Sequence, residues 1–73
     1  MDNAQLTSLQ RNNISYSGRN LILAISNFLD AMLRYRHLLP SDAKILFDNN
    51  LKEKLQSMST NLRDLLLLIA PDD

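Results

Sequence analysis

Residues 21–39 read LILAISNFLDAMLRYRHLL, and residues 51–69 read LKEKLQSMSTNLRDLLLLI. In the first stretch Leu21, Ile25, Phe28, Met32, Tyr35 and Leu39 step by four, three, four, three, four. In the second, Leu51, Leu55, Met58, Leu62, Leu65 and Ile69 repeat those steps. The alternation averages about 3.5 residues, the spacing of helices that pack along their lengths, whereas a half-buried strand would alternate with period two. The stretches share a rhythm and not a repeat, because the residues between the apolar positions differ.

Composition agrees with two helices. The chain has 73 residues, enough for one small domain over residues 1–73. Sixteen residues are Leu and five Ile, Val and Trp are absent, and aromatics make up 5%. Unbranched side chains lose little freedom in a helix, whereas β-branched and aromatic ones suit a pleated sheet. The expected fold class is therefore all-α: an antiparallel helical hairpin, with room for a short N-terminal helix, assembling into a helical bundle.

Pro40 separates the two long segments, since proline cannot continue a helix and disfavours helical geometry in the residue before it. The first long helix is expected over residues 18–39 and the second over 50–70. Ser41 offers a cap for a new start, with Asp42 near the positive end of the helix dipole. Asn50 and Glu53 have capping-box spacing. Residues 41–49 are thus either a separate short helix or the first turns of one long helix flawed at Asn49-Asn50. Pro71 is expected to end the last helix. Residues 1–17 are expected to form a loose arm or a short helix starting after Asp2. A break is placed between Asn12 and Gly18, where Asn13, Ser15 and Ser17 also lower helix propensity.

The first long helix carries more apolar surface than one neighbour covers. Ala24 and Ala31 widen its seam on one side, and Ile22, Leu29 and Leu33 on the other. Together these span roughly 200° of the circumference, where a helix lying on one partner needs little over 100°. Leu23 falls among the polar residues. The last helix is polar outside until Leu65–Ile69 make it apolar all round. Burying one Leu is worth about 1.5–3 kcal/mol, so leaving such side chains wet forgoes stability that a lone hairpin cannot recover. Chains below about 70–80 residues commonly add disulfides, metals or association. Cysteine is absent and no metal-ligand pattern is present, so association is the expected remedy. Ile22, Leu23, Leu29, Leu33, Leu66, Leu67 and Leu68 are the expected contacts for a partner helix or a second copy of the chain. Ile25, Phe28, Leu55 and Leu62 are expected to hold the hairpin itself. Met32 and Met58, also in the seams, read as gap-filling core residues.

Chemistry has little to work with. His37 is the only histidine, and Asp30 is seven residues back, about 10 Å along a helix axis. That is beyond the reach of a base and its orienting group; Asp30 is better placed to pair with Arg34. One glycine excludes a glycine-rich phosphate loop. No enzymatic activity, cofactor or metal is expected. The cluster Arg34-Tyr35-Arg36-His37 supports an alternative, a dimeric hairpin binding RNA or DNA through Arg34 and Arg36. Eight basic and eight acidic residues cancel, however, and nucleic acid needs a concentrated positive face. Membrane association is not expected either: the longest apolar runs are five and six residues, and a span needs about 20. The first fifteen residues lack the basic-then-apolar opening of a signal peptide, so a cytoplasmic location is expected. The function expected from sequence is that of a protein–protein interaction module, a small adaptor, regulator or chaperone-like chain.

Overall fold

A computed structural model describes residues 5–69. Helix α1 runs Ser8–Arg34, a 3-10 turn follows at Arg36–Leu38, and α2 runs Ser41–Leu46. A π-turn at Phe47–Leu51 leads into α3, Lys52–Ile69. All regular structure among the described residues is helical. The end of the last helix at Pro71 lies outside them.

Helix α1 starts earlier than its composition suggests and shows no break. Thr7 and Gln10 form a reciprocal capping box: the Gln10 amide donates to Thr7 Oγ1 at 3.1 Å, and the Thr7 amide donates to Gln10 Oε1 at 3.0 Å. Two of the otherwise orphaned N–H groups are thereby satisfied. The low propensity of Asn12 through Gly18, a few tenths to about 1 kcal/mol per residue, is overridden by packing of this stretch along α3. Of the segment expected to be a loose arm or a short helix, Ser8 onward belongs to α1, and residues 1–4 lie outside the described residues.

At the corner, Leu39 is extended (ψ 149°) before Pro40, as the proline dictates. Ser41 is not the cap. Pro40 occupies that position and its carbonyl accepts from the Lys44 amide at 3.0 Å, with Ser41 the first helical residue. The helical path then continues from α2 into α3 through one wide turn, in which the Lys52 amide donates to the Phe47 carbonyl five residues back. Asn50 lies inside that turn and caps nothing. Phe47 is the most deeply buried large side chain, 1% exposed.

Helices α1 and α3 pack antiparallel along a rod of 53 × 21 × 15 Å. Two contacts set the register. Arg36 binds Asp48 near the corner, and Gly18 faces Leu66 toward the far end. Both pairs have numbers that add to 84, which sets Ile25 level with Ser59, Ile22 with Leu62, and Leu29 with Leu55. Ile25 and Ser59 are the buried residues of their helices, at 6% and 7% exposure.

The stripe that faces inward differs from the one expected. On α1 the covered residues are Arg11, Ser15, Gly18, Ile22, Ile25, Leu29 and Met32; on α3 they are Lys52, Leu55, Ser59, Leu62, Leu66 and Ile69. Both sets keep the four-three alternation but are rotated from the expected seams. Phe28 does not hold the hairpin: it is 47% exposed, and Leu21, Met58 and Leu65 are exposed beside it. The small residue Gly18, set tightly against Leu66, and the buried Ser59 fit this rotation, because helices approach most closely where side chains are short.

Candidate functional site

The rotation sorts the seven expected partner residues. Ile22, Leu29 and Leu66 are turned toward the opposing helix and half-buried, so they belong to the hairpin as much as to its surface. Leu23, Leu33, Leu67 and Leu68 are exposed. Four of the seven come together in one groove of about 480 Å³, with Ile22 and Leu23 on one wall and Leu66 and Leu67 on the other. Leu29, Leu33 and Leu68 do not line it.

Arg19 and Arg63 also line this groove, one from each helix, as does Ser15. The ion pairs of the described residues are Arg34 with Asp30 and Arg36 with Asp48, so neither groove arginine is engaged with a carboxylate among them. The Ser15 hydroxyl is buried without a hydrogen-bond partner, an arrangement that costs about 1–3 kcal/mol unless a partner group reaches it. The groove is thus an apolar trough with two cations. Arg19, Arg63 and Ser15 escaped sequence reasoning because each is isolated in the chain; only the antiparallel register brings them to one face.

The opposite face is more uniformly apolar. Ile14, Leu21, Phe28 and Tyr35 recur every seventh residue from α1 to its C-cap, and Leu51, Met58 and Leu65 do so from the π-turn into α3. All seven are exposed, from 38% at Ile14 to 51% at Tyr35. A shallow groove lined by Ile14, Leu21, Leu62 and Leu65 shows that the two stripes share one side of the hairpin.

Arg34 and Arg36, the cations of the alternative nucleic-acid reading, are both held by carboxylates. Arg34 Nη2 donates to Asp30 Oδ2 at 2.8 Å, one helical turn back. Arg36 grips Asp48 with two donors, Nε to Oδ1 at 3.2 Å and Nη2 to Oδ2. Hydrogen bonding from Arg36 is the main cause that lowers the Asp48 pKa, and the same bond raises that of Arg36. His37 stands exposed on the 3-10 turn. Among the described residues there is no cluster of three His, Cys, Asp or Glu suited to a metal ion, and no helix long and apolar enough to cross a membrane. Comparison with protein families, curated proteins and solved structures finds no match to this chain.

Proposed function

We propose that this chain is a protein–protein interaction module without enzymatic activity, and that the groove of Ile22, Leu23, Leu66 and Leu67 receives an amphipathic segment of another protein. One observation carries the reading: four apolar side chains, and two arginines that hold no carboxylate among the described residues, converge from separate helices on one open trough. Apolar residues of the incoming segment cover Leu23 and Leu67, which are 60% and 66% exposed. Its carboxylate meets Arg19 and Arg63, a charge-assisted contact suited to guanidinium geometry. Helix-in-groove recognition of this kind uses apolar anchors for affinity and rim charges for orientation. The alternative, RNA or DNA binding through Arg34 and Arg36, draws less support because both guanidiniums already hold carboxylates.

The test immobilises the intact chain and its Leu23→Asp/Leu67→Asp variant against an extract of the cells that produce it. Both substituted sites are exposed, so helicity should survive. A protein retained in stoichiometric amount by the first and lost from the second supports the reading. Equal retention by both overturns it.

A further inference from the structure

The face opposite the groove has a different character. It bears seven apolar residues in two heptad-spaced stripes and no charge within either stripe. We infer that a second copy of this chain covers it, giving an antiparallel four-helix bundle. The inference shares with the proposed function only the premise that uncovered apolar surface is there to be covered, and it concerns a different surface.

Area is the first support. The chain exposes 5755 Å², whereas a compact monomer of its 8.4 kDa exposes about 4,600 Å². The difference, about 1,100 Å² over the whole chain, is large enough to include the roughly 800 Å² each partner buries in a standard stable interface. Shape tells the same story: the radius of gyration is 16.6 Å, against about 11 Å for a compact domain of this length. Two rods laid face to face make a more compact body than either alone.

The second support is that the face complements itself. Leu21 and Leu65, Phe28 and Met58, and Tyr35 and Leu51 each lie within two residues of level in that register, one apolar pair per heptad. Beyond these stripes the two edges differ. On the α1 edge the next positions are Ser17, Ala24 and Ala31; on the α3 edge they are Lys54, Asn61 and Leu68. A two-fold axis parallel to the rod lays α1 of one copy against α3 of the other, antiparallel, and keeps every residue at its level. Within one residue of level, Ala31 then meets Lys54 of the second copy, Ala24 meets Asn61, and Ser17 meets Leu68. A short side chain opposes a long one at all three levels. Such an isologous contact closes on itself and stops at two copies, with three apolar layers of four residues in its core. Zero net charge leaves no long-range repulsion to oppose it.

Sedimentation equilibrium of the intact purified chain, from about 1 to 200 μM, tests the inference. The expected mass is twice 8.4 kDa, unchanged by added salt. Phe28→Glu should weaken association about 30-fold or more, the effect of losing a central aromatic anchor, while the groove variant Leu23→Asp/Leu67→Asp stays dimeric. The axis is tested separately, because the chain has no cysteine. A mixture of Ala24→Cys and Asn61→Cys chains should oxidise to the mixed disulfide in preference to either homodimer. A mass of 8.4 kDa at every concentration overturns the dimer, whatever the groove captures. A dimer in which Ala24→Cys links chiefly to itself overturns the proposed face-to-face arrangement. Failure of the groove variant to lose a captured protein bears on the proposed function alone.

Discussion

Gly18 of α1 lies against the Leu66 side chain of α3 so closely that a methyl group on its α-carbon would stand 2.8 Å from Leu66 Cδ2 and 3.2 Å from Cγ. Within a helix, replacing glycine by alanine ordinarily gains about 1 kcal/mol. Here the new methyl must displace Leu66, and overpacking of this kind costs about 1–3 kcal/mol. Gly18→Ala is therefore expected to be neutral or destabilising by up to about 2 kcal/mol. With Leu66→Ala already in place, the same substitution should stabilise by about 1 kcal/mol. Urea unfolding of the four chains of this cycle measures the difference. Equal effects of Gly18→Ala in both backgrounds would mean that the two residues are not coupled.

Ser59 is the buried small residue of α3, level with the buried Ile25 in the same register. Ser59→Ala removes little volume and improves helix propensity, so a gain of about 0.5 kcal/mol is expected. Ser59→Leu would follow the apolar pattern of the chain yet push the helices apart, with a loss of about 1–3 kcal/mol. Ile25→Ala should cost at least about 2 kcal/mol. A thermal melt in which Ser59→Leu proves more stable than the parent would refute the close packing assigned to this level.

These two small residues also explain what periodicity alone resolves and what it leaves open. The helical class, the corner at Pro40 and the disturbance near Asn49-Asn50 are written in spacing and in proline chemistry, both local. The inward face is not, because α1 is apolar across a wide arc. Leu21, Ile25, Phe28 and Gly18, Ile22, Ile25, Leu29 satisfy the same four-three alternation. Only the second set contains a residue without a side chain, and its partner stripe holds Ser59; hydrophobicity scores count both as weaknesses. Steric fit ranks them the other way, since short side chains allow the backbones to approach. The groove was half legible: Ile22, Leu23, Leu66 and Leu67 are conspicuous as surplus leucine and isoleucine. Arg19 and Arg63 are ordinary surface arginines until the register places them across one trough. At the N-terminus, Thr7 and Gln10 carry a capping-box signature in plain view, but the run of Asn and Ser after them outweighs it on propensity alone.

The Arg36–Asp48 pair should make stability depend on acid. Asp48 has a lowered pKa in the folded chain, chiefly through its hydrogen bonds from Arg36. A depressed carboxylate contributes stability that is fully present above its unfolded value, about 3.9, and that is lost as pH falls through the folded value. The parent chain is therefore expected to exceed Asp48→Asn in urea midpoint at pH 7, and the two should converge under strongly acidic conditions. Both side chains are partly exposed, so added salt should narrow the gap at neutral pH. Parallel pH profiles for the two chains would show that the pair contributes nothing.

The π-turn at Phe47–Leu51 yields the sharpest prediction about the corner. Its extra residue turns everything before it relative to α3, and Phe47 and Asp48 stand at the start of that displaced segment. Deleting Asn50 would restore continuous α-helix, rotating residues 41–49 by about 100° and shifting them about 1.5 Å along the axis. Local helix propensity favours the deletion, since an asparagine and a wide turn are both removed. Tertiary packing opposes it, because Phe47 would leave its buried site and Asp48 would swing away from Arg36. Losing a buried phenylalanine costs about 3–5 kcal/mol, several times the propensity gain. The deletion chain should therefore keep or increase its far-ultraviolet helix signal while its melting temperature falls about as far as that of Phe47→Ala. If the melting temperature stays at the parent value, Phe47 is not what fixes the corner, and the wide turn has no packing role.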